Sequence, residues 1–153
     1  LFNRGFTSRE EIQHFLTSDE HDINSPLLLD NMREGLALIA KHVQANSRVL
    51  IICDSDTDGY CSSTILMNYL HRHFPSWIEN NWDYFIHSGK QHGLEDVMQE
   101  VEWSNYNLIV CPDSASNDYA CHAELCSSNV DCLILDHHLA DGGYSPDAVT
   151  INN

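Results

Sequence analysis

The chain has 153 residues, 42% of them hydrophobic, which suits one ordinary domain with a real core. Seven Lys and Arg stand against 23 Asp and Glu, so the formal net charge is −16: the wrong sign for gripping nucleic acid by general electrostatics, and the right one for concentrating cations. No stretch approaches the ~18 apolar residues of a membrane span, and the start, LFNRGFTSREE, lacks an apolar signal-peptide core, so a cytoplasmic protein with no membrane attachment is expected.

In chain order, Thr7 to Glu10 (TSRE) reads as a capping box opening a short helix through Leu16. TSDEHDINSP is a polar connector. Leu27 to Ala45 has helical periodicity, with Met32, Leu36, Ile39 and Val43 on one stripe. Arg48 to Cys53 is a short branched apolar run, read as a buried strand. Ser62 to Phe74 reads as a helix with Ile65, Leu66, Tyr69 and Leu70 inward, ended by Pro75. Tyr84 to His87 is expected as a strand, Leu94 to Val101 as a helix, and Leu108 to Cys111 as a buried strand. Asp118 to Ser127 follows as a helix capped from Ser116, Asn117 or Asp118, then Cys132 to Leu135 as a buried strand, and Ala148 to Ile151 as a last one.

This alternation, with continuous apolar strands, predicts an α/β fold: a parallel, Rossmann-like sheet with helices on both faces. Residues 1–28 are expected as a helical lead-in packed on the domain formed by residues 29–153. The six cysteines form no CxxC pair. Cys53, Cys111 and Cys132 sit in or at the end of apolar runs and are expected as reduced core thiols. Cys121 and Cys126, with His122 between them, lack the two further ligands a zinc finger needs.

In an open α/β sheet, ligands bind beyond the carboxyl ends of the strands. The first buried strand runs into Asp54, Asp56 and Asp58; the second, LIVC, into Asp113; the third, CLIL, into Asp136, His137 and His138. Rival readings of CDSDTDGYCSS are weaker. D-x-D-x-D-G opens an EF-hand calcium loop, but position 12 is Ile65 where a bidentate Glu is required, and a strand precedes it. An aspartyl-phosphate phosphotransferase wants Thr or Val two places after its second Asp, where this chain has Asp58 or Tyr60. Helix capping, by Asp58 or Ser62, needs one residue and does not explain three aspartates. The remaining reading is a two-metal site. Oxygen-rich ligation with one or two imidazoles suits Mn²⁺ or Mg²⁺, two ions clamping a phosphoryl group and acidifying an attacking water. Asp113, alone at the central strand end, is the expected bridging carboxylate.

DSDTDG, then Asp113 in CPDSASND, then Asp136-His137-His138 resemble, in order and spacing, motifs I to III of the DHH phosphoesterase superfamily. The chain is most similar to RecJ-type single-strand-specific 5′→3′ exonucleases of phages and Gram-positive bacteria. LFNRGFTSREEIQHFL with SPLLLDNMREGLALI resembles their approach to motif I, and SPDAVTINN their segment after DHH. The resemblance implies the DHH-type N-terminal catalytic subdomain over residues 29–153. It implies Asp56, Asp58, Asp113 and His137 as metal ligands, and Asp54 as a ligand or an acid beside them. It implies His138 facing the substrate phosphate and Asp136 orienting the imidazoles. In HSGKQHG (87–93) it implies Lys90 and His92 near the nucleic acid. The family's fourth acidic motif and second domain do not occur within the chain, which reads as the catalytic half of a longer protein, binding metal weakly and cutting poorly alone.

The implied activity is release of 5′-mononucleotides from single-stranded DNA in repair or recombination, with replication or repair proteins as possible partners. The alternatives are hydrolysis of a small phosphate ester (an oligonucleotide, a cyclic dinucleotide or pyrophosphate), or a non-catalytic replication scaffold.

Overall fold

A computed structural model describes residues 2–153; Leu1, in the expected lead-in, lies outside the described residues. Five parallel strands form one sheet in the order β2-β1-β3-β4-β5: β1 (Val49–Cys53), β2 (Trp82–Ile86), β3 (Leu108–Pro112), β4 (Asp131–Asp136) and β5 (Val149–Asn152). β1 and β3 are fully buried. Successive residues face opposite ways, so an unbroken apolar run feeds two cores. Leu50, Ile52, Ile109, Cys111, Cys132 and Ile134 face α5 (Tyr119–Ser127). Val49, Leu108, Val110, Leu133 and Ile151 face α2 (Met32–Gln44), α3 (Thr57–His73) and α4 (Pro75–Asn81). Helices therefore cover both faces, as the strand composition predicts. The six cysteines are free thiols, and Cys53, Cys111 and Cys132 are buried.

Several elements differ from expectation for local reasons. The capping box of α1 (Arg9–Thr17) is Ser8 with Glu11, one residue later than TSRE suggests. No residue from 3 to 28 is buried: Phe15, Leu16 and Ile23 face outward, and Phe6 stacks on Phe15 at 4.9 Å. α2 starts at Met32 because a Pro26–Leu28 turn and left-handed Asn31 (φ 58°) precede it. Its inner stripe uses Gly35 and His42 in place of Leu36, which is 57% exposed. Gly35 permits the contact with β5, since a Cβ there would lie 2.6 Å from Ile151 Cδ1. α3 starts at Thr57, inside the aspartate motif, and leaves Ile65 and Tyr69 exposed. Pro75 ends it but also opens α4, where a first-turn proline is tolerated. The helix expected over Leu94 to Val101 is only a 3-10 turn, Glu95–Val97. Leu94 and Val97 are both fully buried three residues apart, the spacing that such a turn eclipses.

The order 2-1-3-4-5 reverses direction between β1 and β3, and crevices at such switch points are where doubly wound sheets bind ligands. Asp54 and Asp113 follow those two strands.

Candidate functional site

Asp54 is buried at the end of β1 by a close backbone approach. A Cβ on Gly59 would lie 2.6 Å from both the Asp54 Cβ and its carbonyl oxygen, so only glycine fits in this first turn of α3. Asp56 caps α3 by accepting the Gly59 N–H at 3.0 Å. That bond is the chief cause holding the Asp56 carboxyl below its usual range. One of the three aspartates is therefore a cap, but it is Asp56, not Asp58. The amino end of α3, with its partial positive charge, points at the cluster.

Asp113 follows β3 with φ 90°, and Ala115 has φ 81°. Non-glycine residues in this region carry strain of about 1–3 kcal/mol each. Hydrogen bonds pin the turn. The Asp113 N–H donates to the Leu135 carbonyl at 2.6 Å, and the Ser116 N–H to Asp136 Oδ2 at 3.0 Å. The Asn152 amide donates to Ser116 Oγ at 2.8 Å and to the His138 carbonyl at 2.9 Å. Ser116, Asn117 and Asp118 thus do not cap α5 with their side chains. Asn117 bonds the 139–141 loop, and Asp118 accepts the Leu94 N–H.

The Asp113 carboxylate is 4% exposed, with Oδ1 3.0 Å from His137 Nε2. Its Oδ2 is buried and has no hydrogen-bond partner among the described residues. Burial first, then the charges of Asp58 and Asp56, push this carboxyl up. An unpartnered buried carboxylate oxygen is costly, and a cation would relieve it.

Two Asp–His pairs flank the cluster. Asp136 Oδ1 accepts from the His138 ring at Nδ1 (2.8 Å) and from the backbone N–H groups of His137 (2.7 Å) and His138 (3.1 Å). Burial alone would raise the Asp136 carboxyl. Bonds from the His138 ring and backbone, Ser116 and the His137 backbone outweigh it and hold the group well below the usual range. The carboxylate in turn raises the His138 imidazole. On the other side, His92 Nδ1 pairs with Asp54 Oδ2. The His92 and His138 rings meet edge to face, centroids 5.1 Å apart. Neither Nε2 has a hydrogen-bond partner among the described residues.

Ligand-type atoms of Asp54, Asp56 and Asp113 lie within 4.8 Å of one another, and so do those of Asp113, His137 and His138. Either trio could hold a metal ion, and Asp113 is common to both. Asp58 stands outside both trios, its Oδ2 3.5 Å from His137 Nε2. Lys90 is exposed in the 87–93 loop and takes no part in these contacts. A cavity of about 530 Å³ opens beside the cluster, lined by Asp58, Asp113 and His137 together with Met32, Leu135 and Ile151. Sequence reasoning missed His87, whose Nδ1 lies 3.4 Å from Asp54 Oδ1. The signal was present: His87 directly follows β2, at the same edge as Asp54, Asp113 and His137.

The model of the DHH family, N-terminal domain, matches residues 48–153. The chain is 28% identical over its full length to YorK of the SPbeta prophage in Bacillus subtilis (strain 168), named as a candidate single-strand DNA-specific exonuclease, and covers 25% of that protein. It is 24% identical, over 90% of its length and 17% of the relative's, to the single-stranded-DNA-specific exonuclease RecJ of the same bacterium. The chain thus spans at most about a quarter of the curated relatives it matches. Its fold is that of RecJ from Thermus thermophilus, solved in complex with Mn²⁺: TM-score 0.66 at 22% identity, covering 99% of this chain and 20% of that one. No helix among the described residues is long and apolar enough to cross a membrane.

Proposed function

The chain belongs to the DHH family, and from that premise we propose that it is the metal-holding part of a phosphodiesterase, a 5′→3′ exonuclease acting on single-stranded DNA. The observation that carries this reading is the buried Asp113 carboxylate: it is shared by both ligand trios and keeps one oxygen without a partner. The donor set fits two Mn²⁺ or Mg²⁺ ions, one toward Asp54 and Asp56 and one toward His137, with Asp113 between. Such ions, when bound, neutralise the phosphoryl charge and make a bound water acidic enough to attack phosphorus.

The chain's own groups do the rest. Asp58 steadies His137, or joins the ligands once its exposed carboxylate turns inward. Asp136 fixes His138 through Nδ1, so Nε2 is presented to a phosphate oxygen. Asp54 does the same for His92. Lys90, one of only seven basic Lys and Arg, supplies a mobile cation for the strand. The curated relatives named as single-strand DNA-specific exonucleases support this substrate over a small phosphate ester.

The test uses the full-length protein on 5′-phosphorylated single strands with Mn²⁺, beside dinucleotides and pyrophosphate. Mononucleotide release from the long strand, lost in Asp113→Ala, is expected. Faster turnover of dinucleotides or pyrophosphate would move the assignment to the small-ester class. No Mn²⁺ uptake by calorimetry would leave a scaffold.

A further inference from the structure

His87 stands at the carboxyl end of β2 with its side chain fully enclosed. Its backbone N–H donates to the Cys53 carbonyl at 3.0 Å. Its Nε2 lies 2.8 Å from the Gly93 carbonyl, which can only accept, so Nε2 carries a proton and donates. Its Nδ1 lies 3.4 Å from Asp54 Oδ1, and with Nε2 donating to Gly93 that contact is a hydrogen bond only in the doubly protonated, cationic imidazole. Gly93 itself is closely seated: φ is 72°, and a Cβ there would strike the Asp118 carboxylate, which accepts the next residue's N–H at 2.6 Å. The 87–93 loop therefore leaves from and returns to one imidazole. His92 immediately precedes the anchored carbonyl, and its N–H donates to Asp96 Oδ2 at 3.0 Å. His87 and His92 thus grip the two oxygens of Asp54 from opposite ends of one loop. His122 gives the contrast. It is also fully buried, yet neither of its nitrogens has a partner among the described residues.

We propose that His87 is a positioning residue: it locks the 87–93 loop onto Asp54 so that His92 is held facing His138 across the site. Enclosed as it is, His87 touches no substrate and acts through Asp54 and His92. The proposal rests on the nuclease reading for its kinetic readout alone.

The kinetic test is a double-mutant cycle in the full-length protein, on 5′-phosphorylated single strands with Mn²⁺. His87→Leu should lower kcat/KM by about tenfold or more, as loss of a supporting partner does. In a His92→Ala background the same change should cost less than about twofold, because its effect passes through His92. Losses that multiply would overturn the proposal. His87→Gln, whose amide nitrogen can take the place of Nε2 toward Gly93, should recover most of the activity. A glutamine variant that melts like the wild type but is no better than leucine would also overturn it. A second readout needs no turnover. In ¹⁵N spectra the hydrogen-bonded His92 Nδ1 signature should vanish in His87→Leu and persist in His87→Gln. An unchanged signature in the leucine variant refutes the proposal. If the wild type cleaves no strand, the nuclease reading fails, and these spectra still decide the role of His87.

Discussion

The two ends of the sheet use the same residue types to opposite effect. At the amino ends, Asp131 takes both Lys41 and His42, and Asp83 takes Arg48 at 2.8 Å and the Tyr106 hydroxyl at 3.1 Å. The Arg48 guanidinium also sits 5.4 Å over the Tyr106 ring. Each of these acids has a base. At the carboxyl ends, Asp54, Asp56, Asp58, Asp113 and Asp136 meet only imidazoles and N–H donors, and among the described residues no Lys or Arg pairs with any of them. The first arrangement is internally balanced and holds the fold. The second is short of positive charge and carries backbone strain at Asp113 and Ala115, which the fold has to support. This edge, where carboxylates stand without Lys or Arg partners, is where the proposed cations would sit.

The sharpest way to break this comparison is to remove one acid from each end. Asp113→Asn should lower activity by more than about 100-fold and abolish tight Mn²⁺ uptake by calorimetry. Its melting temperature without metal should hold or rise, because like charges are relieved and Asn tolerates positive φ. Asp131→Ala should do the reverse, costing about 1–3 kcal/mol in urea unfolding with kcat near wild type. If Asp113→Asn destabilises as much as Asp131→Ala, the acids at the carboxyl edge are structural and the division fails.

Two glycines give a gentler contrast. Gly59→Ala places a methyl against the Asp54 backbone, which cannot yield without moving the carboxylate. It should cost about 1–3 kcal/mol and weaken Mn²⁺ binding with it. Gly35→Ala meets side-chain carbons rather than backbone, Ile151 Cδ1 at 2.6 Å and Leu133 Cδ1 at 3.3 Å, and no acid. It should cost less than about 1.5 kcal/mol and leave metal affinity unchanged. Equal effects on metal affinity would show that Asp54 is not placed by the Gly59 approach.

The sheet and the acid-bearing strand ends were legible because both follow from contiguous residues: VLII, LIV and CLIL must be buried, and whatever follows them must emerge at one edge. What was not legible is set by partners far away in sequence. Ser116 to Asp136 spans 20 positions and Asn152 to Ser116 spans 36, and no local pattern announces either bond. α3 starts earlier than its apolar periodicity suggests because Asp56 serves as cap and candidate ligand at once. Ile65, Tyr69 and Leu36 are exposed against expectation because helical periodicity gives a stripe without saying which of two apolar stripes meets the sheet.

The smallest effect concerns pH, where the two ends should respond with opposite sign. His42 and His138 each bond an aspartate, but His42 is 4% exposed and His138 45%. Burial dominates at His42 and lowers its pKa despite Asp131; the bond to Asp136 dominates at His138 and raises it. An unfolded histidine titrates near pH ~6.5. Below that pH the unfolded chain binds the proton that folded His42 resists, so the stability tied to His42 is present above ~6.5 and lost as pH falls. Folded His138 holds its proton longer than the unfolded chain does, so its contribution is present below ~6.5 and lost as pH rises through the folded value. Substitutions that keep the donor and remove the titration separate the two: His42→Gln for Nε2 and His138→Asn for Nδ1. In chelator-treated protein, the first should flatten the fall in melting temperature toward pH 5, and the second the fall toward pH 8, each by about 2–4 °C. Flattening on the same side for both variants would mean that burial, not the carboxylate partner, governs both imidazoles, and that the two ends of the sheet differ less in their electrostatics than their geometry indicates.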